Sequence, residues 1–236
     1  MISVCMATYN GELFVRRQLE TILPQLAPGD ELVISDDSST DATVGIIKSF
    51  NDQRIRLFED QTFRSPVLNF EFALRQARGE IILLSDQDDV WLPNKLDTVR
   101  ELFRGEVARP FLVVLDGVVV DENDREIYPS VSQKLNAGPG FWKNLYDNRY
   151  LGCCMAFSRD LLARALPFPR NIPMHDMWLG QLCERIGYTQ FVPVVTMKYR
   201  KHGASMTEFK IHFRPLIQIR RRLILAWNLL HRAYLS

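Results

Sequence analysis

The chain has 236 residues, of which 47% are hydrophobic and 24% charged, so its composition is that of a globular protein and excludes a disordered or low-complexity chain. No run of 18 uncharged apolar residues occurs, so the sequence predicts no membrane-spanning helix. The first six residues lack the basic and apolar regions of a signal peptide, and we interpret them as the start of a strand.

Charge is distributed unevenly although the formal net charge is only +1. Residues 198–236 hold nine Lys/Arg residues and one acid, whereas the rest of the chain holds 20 Lys/Arg and 27 acidic residues. An acidic body with a basic tail predicts that the two parts meet different partners. Because the body is acidic and lacks a basic aromatic groove, we expect no nucleic-acid binding.

The four cysteines, Cys5, Cys153, Cys154 and Cys183, show no metal-ligand spacing, and neighbouring cysteines form a disulfide poorly. The sequence therefore predicts reduced thiols in a cytoplasmic protein.

Strand and helix patterns alternate through the first half of the chain. Apolar, β-rich runs predict strands at residues 2–8, 31–35, 55–58 and 80–85. Helical spacing and capping residues predict helices at residues 12–26, 39–50, 67–78 and 93–103. This order predicts an α/β fold with a mostly parallel central sheet flanked by helices.

The second half is less regular. Two strands are predicted around Asp116-Gly117, a loop at 136–148, a helix at 174–186 and a strand at 191–199. Because no internal repeat or linker interrupts the chain, we expect one domain with a C-terminal appendage.

Polar clusters follow three of the predicted strands: Thr8-Tyr9-Asn10, Asp36-Asp37 and Asp86-Gln87-Asp88-Asp89. Ligands of parallel α/β sheets bind at the carboxyl ends of the strands, so these clusters mark the expected site. Three carboxylates this close repel one another unless a cation lies among them, and Mg²⁺ or Mn²⁺ prefers oxygen ligands. The alternative is a solvated turn that caps the helix after Pro93.

These motifs resemble those of the inverting glycosyltransferases of family 2, which have the GT-A fold. The run Ser85–Trp91 is similar in particular to the bacterial rhamnosyltransferase-like branch. The other matching segments are 8–11, 36–41, 77–80, 151–157, 175–179 and 199–203. The resemblance covers about residues 1–205, which leaves residues 206–236 as a basic amphipathic appendage.

The resemblance implies a role for each matching residue. Asp36 would accept a hydrogen bond from a pyrimidine base, with Asp37 beside it. Asp88 would bind Mg²⁺ or Mn²⁺, and His202 would approach the metal or the diphosphate. The remaining residues expected to hold the nucleotide sugar are Thr8, Tyr9, Asn10, Asn69, Arg75, Asp86 and Gln87.

Transfer of a sugar also requires a base that takes the proton of the acceptor hydroxyl. The resemblance places that base at Asp176, at the start of a predicted helix, although the same residue is also a suitable helix cap. Four further residues are expected on the acceptor side: Trp91, Gly152, His175 and Trp178. Trp91 and Trp178 are candidates to stack on sugar faces, and the alternative for Trp91 is a place in the core.

Residues 215–235 predict an amphipathic helix. An apolar stripe that includes Leu223, Trp227 and Leu230 lies opposite a face with Arg222 and Arg232. Three partners fit this pattern: an anionic membrane surface, the catalytic domain, or a second helix in a homodimer.

The sequence thus predicts a metal-dependent inverting enzyme that moves rhamnose or another hexose from a dTDP- or UDP-sugar. The expected acceptor is a bacterial surface glycan or a lipid-linked acceptor, at the inner face of the plasma membrane. The alternative is a catalytically idle sugar-nucleotide-binding or scaffold protein. A phosphatase would need an aspartate directly after the first strand, and a nucleotidyltransferase a Gly-rich basic loop, and neither is present.

Overall fold

A computed structural model describes residues 1–105, 109–201 and 215–234. Nine strands within these residues form one sheet: β1 Ile2–Thr8, β2 Glu31–Asp36, β3 Ile55–Phe58, β4 Ile81–Ser85, β5 Val90–Trp91, β6 Phe111–Val120, β7 Glu126–Tyr128, β8 Met155–Ser158 and β9 Tyr188–Arg200. Their spatial order is β3-β2-β1-β4-β8-β6-β9-β5, and β7 pairs with β6.

Nine α-helices are described in the same ranges: α1 Val15–Ile22, α2 Thr43–Ser49, α3 Pro66–Gln76, α4 Lys95–Leu102, α5 Val131–Lys134, α6 Phe141–Tyr146, α7 Arg159–Ala165, α8 His175–Ile186 and α9 Pro215–Tyr234. Ser65 caps α3 and Ser158 caps α7, because each hydroxyl accepts a hydrogen bond from a backbone N–H in the first helical turn.

The strands of the first half are parallel, as the alternating pattern predicts. β1 pairs with β2 on one side and with β4 on the other, and β2 pairs with β3. Nearly every residue of β1, β2 and β4 is buried, as is typical of parallel strands, and α3 packs against β1 and β2. The carboxyl ends of the three strands therefore lie at one edge.

The second half makes the sheet mixed rather than mostly parallel. β8 is antiparallel to both β4 and β6, and β5 is antiparallel to β9. Asp116-Gly117 does not separate two strands, because β6 continues through it while its register with β9 shifts. A Cβ atom at Gly117 would lie 3.0 Å from the Met197 carbonyl oxygen, so glycine permits this close approach.

The predicted loop at residues 136–148 contains the short helix α6. The carboxylate of Glu184, on α8, accepts hydrogen bonds from Gly140 N (3.2 Å), Asn144 Nδ2 (2.9 Å) and the Tyr150 hydroxyl (2.6 Å). These contacts come from a residue 34 to 44 positions away, so no local pattern predicts the helix.

Helix α9 packs against α8 and α6. Leu225 and Leu229 are fully buried there, and the Arg232 guanidinium donates to the carbonyl oxygens of residues 164, 166 and 167. In the part of the predicted apolar stripe whose side chains the structure describes, the residues are exposed instead, with Leu223 65% and Trp227 70% exposed. No helix among the described residues combines the length and apolar character needed to cross a bilayer.

Two leucines of α9 test which face docks. We expect Leu229→Ala to lower the free energy of unfolding by about 2–5 kcal/mol, because it leaves a cavity in a buried contact. Leu223→Ala, the matched control on the exposed face, should change it by less than about 0.5 kcal/mol. Urea unfolding of both variants measures the difference, and equal effects would contradict the docking.

Candidate active site

The chain connections diverge to opposite sides of β1, so the loops that follow β1 and β4 meet at the topological switch point where α/β sheets bind ligands, and we call this edge the crevice. Gln87 spans it: Tyr9 N donates to Gln87 Oε1 and Gln87 Nε2 donates to the Tyr9 carbonyl oxygen, both at 3.0 Å. A Cβ atom at position 11 would lie 2.3 Å from Gln87 Oε1, so Gly11 leaves room for this side chain. Tyr9 and Gln87, two residues expected to hold the nucleotide sugar, are thus brought together.

The loops after β1 and β2 are tied to each other. Asn10, whose φ is +46°, donates its backbone N–H to Ser39 Oγ (2.9 Å), and its Oδ1 accepts from Thr40 N (2.9 Å). The N–H of Glu12 donates to Asp41 Oδ2 at 3.1 Å. Asparagine tolerates the left-handed backbone conformation that Asn10 adopts when it makes its two hydrogen bonds.

Asp36 and Asp37 are both buried at the end of β2. The Thr8 and Ser39 hydroxyls each donate to Asp36 Oδ2 at 2.7 Å, and Phe63 N donates to Asp37 Oδ1 at 2.5 Å. Both carboxylates therefore brace the surrounding loops. The contact of Asp36 with a pyrimidine base stays a prediction.

Of the two α3 residues expected to hold the nucleotide, only Asn69 reaches this edge. Its Nδ2 donates to the Thr8 carbonyl oxygen at 3.2 Å. Arg75 lies six residues further along α3, about 9 Å down the helix axis, and pairs with Glu71 at 2.6 Å. We therefore remove Arg75 from the candidate site, because α3 runs away from the crevice.

The acidic loop after β4 forms the electrostatic centre of the site. Potential ligand atoms of Asp86, Asp89 and Cys153 all lie within 4.8 Å of one another. Burial, reinforced by the charges of Asp88 and Asp176, raises the pKa of Asp86 to about 7. Burial and the neighbouring Asp88 and Asp86 also raise the pKa of Asp89 well above its usual range. This cluster therefore strongly favours a bound proton or cation.

Two buried basic residues lie near the acidic loop, and one of them, Arg200, is bonded to it. Lys95 Nζ is fully buried and donates to the Cys153 carbonyl oxygen at 2.7 Å. Arg200 donates its backbone N–H to Asp89 Oδ1 and its Nε to the Asp88 carbonyl oxygen, both at 3.1 Å. Arg200 also pairs with Asp124 at 2.9 Å, so its guanidinium is engaged within the protein rather than available for phosphate.

Sequence reasoning missed Lys95. The available signal was its position four residues before Val99 on the buried face of α4, where a lysine is rarely found without a partner.

The chemistry of these residues fits a hard divalent cation. In the part of the chain that the structure describes, the buried Asp89 Oδ2 accepts no hydrogen bond. Asp86, Asp88 and Asp89 offer the carboxylate oxygens that Mg²⁺ and Mn²⁺ prefer. The other expected metal contact, His202, lies outside the described residues.

Asp176 lies in the first turn of α8, as predicted. Its Oδ1 accepts hydrogen bonds from Met177 N (2.5 Å) and Asn148 Nδ2 (3.3 Å), and the Gly152 backbone N–H also donates to this carboxylate. Burial nevertheless raises the pKa of Asp176 to about 6. Because the charge of Asp176 also raises the pKa of Asp86, the expected base and the acidic loop share one electrostatic environment.

Gly152 and His175 pack behind Asp176. A Cβ atom at position 152 would lie 3.1 Å from His175 Nε2, so glycine lets the backbone approach the start of α8. The His175 ring stacks on Phe70 with centroids 4.2 Å apart, and burial lowers its pKa to about 3. His175 is therefore a neutral packing residue beside the expected base.

The two tryptophans expected to stack on sugar are core residues. Trp178 is fully buried and its Nε1 donates to the Ala165 carbonyl oxygen at 3.1 Å. Trp91 is also buried, and its ring lies 4.7 Å from Lys95 Nζ. Neither ring reaches the crevice, because each is enclosed by the elements packed on it. The exposed aromatic ring at the crevice is that of Tyr9.

Fold and site together define an α/β protein with a carboxylate-lined crevice at the strand ends, the arrangement of a GT-A transferase. Residues 3–166 match the family described as Glycosyl transferase family 2, which covers more than half of the chain. The chain therefore belongs to glycosyl transferase family 2.

Relatives with a named activity are glycosyltransferases. The chain is 26% identical over 240 residues to the dTDP-rhamnosyl transferase RfbG of Shigella flexneri, covering 92% of this chain and 80% of that protein. It is 32% identical over 97 residues to the Escherichia coli UDP-Glc:alpha-D-GlcNAc-diphosphoundecaprenol beta-1,3-glucosyltransferase WfgD, covering 41% of this chain and 38% of that protein. The chain spans between 38% and 49% of the length of WfgD and three other curated relatives.

Solved structures confirm the fold. TarS of S. aureus in complex with UDP-GlcNAc superposes with a TM-score of 0.67 at 20% identity, covering 86% of this chain and 59% of that chain. The mannosyltransferase PcManGT of Pyrobaculum calidifontis, in complex with GDP-Man and Mn²⁺, gives a TM-score of 0.62 at 20% identity, covering 98% of this chain and 64% of that chain.

The raised pKa of Asp176 predicts a pH-dependent cost in stability. The pKa of Asp176 is about 6 in the folded protein and 3.8 ordinarily, so folding favours the protonated carboxyl. Below about pH 4 this carboxyl does not lower the stability of the fold, and the cost of ionising it appears as the pH rises through 6. At pH 8 the ionised carboxylate costs about 3 kcal/mol. We expect Asp176→Asn to be more stable than the parent chain by up to that amount at pH 8, and by about half of it at pH 5.

Urea unfolding with a chelator present measures this difference. Asp160→Asn, at an exposed carboxylate in the first turn of α7, is the control and should show little pH-dependent change. A stability difference for Asp176→Asn that does not vary with pH would contradict the burial cost.

Proposed function

We propose that this protein is a metal-dependent inverting glycosyltransferase, with Asp176 as the general base. One observation carries the proposal: a buried carboxylate with a raised pKa lies beside the acidic loop, at the strand-end crevice of a family 2 sheet. A base whose pKa lies near 6 is ionised at neutral pH and still accepts a proton readily.

The reaction is a single displacement. The acceptor hydroxyl attacks the anomeric carbon of the donor, the bond from that carbon to the diphosphate oxygen breaks, and the hydroxyl proton passes to Asp176. The hydrogen bonds from Asn148 and Met177 hold the carboxylate in place, which favours a fixed approach of the hydroxyl. A retaining mechanism would instead require a carboxylate nucleophile on the opposite face of the sugar.

Asp88 and Asp86 would hold Mg²⁺ or Mn²⁺. When bound, the cation would neutralise charge on the leaving diphosphate as a Lewis acid. Asp89, fixed by the Arg200 backbone N–H, keeps the acidic loop in position, and Gln87 closes the loop against Tyr9. Mn²⁺ in the similar PcManGT complex supports this assignment.

The donor is a dTDP- or UDP-hexose, with rhamnose as one candidate sugar, and the acceptor is a surface glycan or a lipid-linked acceptor. The activities for which RfbG and WfgD are named support the donor, and that of WfgD supports a lipid-linked acceptor. A lipid-linked acceptor would place the protein at the inner face of the plasma membrane.

The metal assignment predicts the behaviour of Asp88→Asn. We expect Mn²⁺-dependent donor binding, measured by calorimetry with UDP- and dTDP-sugars, to weaken at least tenfold, a change of about 1.4 kcal/mol or more. The far-ultraviolet circular dichroism should stay unchanged because Asp88 is only partly buried. Asp97→Asn, at a carboxylate 83% exposed on α4, is the control. Unaltered Mn²⁺ dependence in Asp88→Asn would exclude Asp88 as a ligand.

The base assignment predicts that Asp176→Asn reduces sugar transfer by roughly 10²–10⁴. Donor affinity should change little, since a base acts on the acceptor hydroxyl. Aspartate and asparagine cap helices about equally well, so a capping role alone predicts near-normal turnover. Lost donor binding would place Asp176 at the metal or the sugar. A parent protein that binds donor but transfers no sugar to any acceptor tested would favour the idle binding protein.

A further inference from the structure

Five large apolar side chains are exposed on two neighbouring helices, and we name this surface the α6–α9 patch. Arg222 Nε, on α9, donates to the carbonyl oxygen of Tyr146 at the end of α6, which joins the two helices. The five residues, with their exposed fractions, are Trp142 (77%), Tyr146 (83%), Leu223 (65%), Trp227 (70%) and Leu230 (45%). Single exposed apolar residues are ordinary, but such a group on adjoining elements marks an interaction surface.

The charge around the patch is positive. Helix α9 contains four arginines and no acidic residue. Arg220, one helical turn before Leu223, is exposed, as is His231 beside Leu230. Tryptophan and tyrosine rings flanked by arginine are typical of surfaces that lie in the headgroup region of an anionic bilayer.

The two faces of α9 have separate tasks. Leu225 and Leu229 are buried against the domain, and Arg232 fixes the end of the helix to three backbone carbonyls. The docked face therefore holds α9 in place while Leu223 and Trp227 point away from the domain. Burial of the outward stripe requires a partner from outside.

The patch adjoins the expected base. Tyr146 precedes Asn148 by two residues, which span at most about 7 Å of chain. The Asn148 side chain donates to Asp176, and α9 packs on α8, the helix that carries Asp176. A surface bound to the patch would therefore lie on the acceptor side of the site.

We propose that the α6–α9 patch binds the surface of an anionic bilayer and so brings Asp176 to an acceptor anchored in that bilayer. The positive charge favours anionic lipid over a second copy of the chain, whose identical patch would repel it. The part of this proposal that concerns the acceptor rests on the proposed function, whereas the binding of lipid does not.

Vesicle sedimentation of the full chain tests the proposal. We expect binding to vesicles that contain phosphatidylglycerol, at least tenfold weaker binding to pure phosphatidylcholine, and weakening by added salt. The double variant Leu223→Ala/Trp227→Ala should bind phosphatidylglycerol vesicles at least tenfold less. Ile127→Ala, at an apolar residue 51% exposed on β7, is the matched control and should bind as the parent does.

Tryptophan fluorescence gives a second readout. Trp91 and Trp178 are buried, whereas Trp142 and Trp227 are exposed on the patch, so a blue shift upon vesicle addition reports the patch. The variant Trp142→Phe/Trp227→Phe should lose that shift. Unchanged vesicle binding by Leu223→Ala/Trp227→Ala, or equal binding to neutral vesicles, would overturn the proposal.

Two further measurements separate this proposal from its alternatives. Light scattering that shows a dimer in the parent and a monomer in Leu223→Ala/Trp227→Ala, without vesicle binding, would assign the patch to a second copy and overturn the proposal. Mn²⁺-dependent donor binding should be the same in parent and variant. Its absence from both would contradict the proposed function while leaving the lipid result intact.

Discussion

The repulsion among carboxylates at the end of β4 is the constraint on which the site depends. Asp86, Asp88 and Asp89 follow one another on a single loop, and Asp176 adds a fourth charge from α8. The surrounding structure limits this repulsion without removing it: Lys95 is buried nearby against the Cys153 carbonyl oxygen, and Arg200 fixes the loop from β9. Burial raises the pKa values of Asp86 and Asp89, and the charge of the neighbouring Asp88 raises both further. A divalent cation would offset these charges, so the same electrostatic stress that lowers stability prepares the loop for a metal and a diphosphate.

A short 3-10 turn, Gly152–Cys154, connects the acidic loop to the proposed base. The backbone N–H of Gly152 donates to Asp176, while the Cys153 carbonyl accepts from Lys95 and its thiol lies beside Asp86 and Asp89. This single turn of backbone thereby fixes the distance between the acidic loop, which would act on the donor, and Asp176, which would act on the acceptor. Rigid placement of this kind lowers the entropic cost of bringing two substrates together.

The C-terminal helix gives the site an orientation. Glu184 holds α6 against α8, and α9 packs on both, so the exposed patch is fixed relative to Asp176. Helix α9 docks through Leu225, Leu229 and the guanidinium of Arg232, which donates to backbone carbonyls. Its exposed apolar side chains lie on another face, so one amphipathic helix both packs on the domain and presents an apolar surface. A lipid-linked acceptor would meet such an enzyme from the side of the base, while a nucleotide sugar would enter from the crevice between the loops after β1 and β4.

The sequence by itself determined the parallel first half of the sheet, because each strand and helix there has a local periodicity, and it located the acidic loop at the end of a strand. The resemblance to glycosyltransferase family 2 pointed to Asp176. Tertiary structure alone decided the rest. Residues distant in the chain decide three features: whether Trp91 and Trp178 are exposed, whether α6 forms, and which face of α9 docks. An apolar composition predicts that a side chain is buried, but not which element it packs against. Lys95 shows the limit most clearly: a lysine counts as a surface residue in any local pattern, and only the folded chain buries it near Asp86 and Asp89, whose charges oppose the lowering of its pKa by burial.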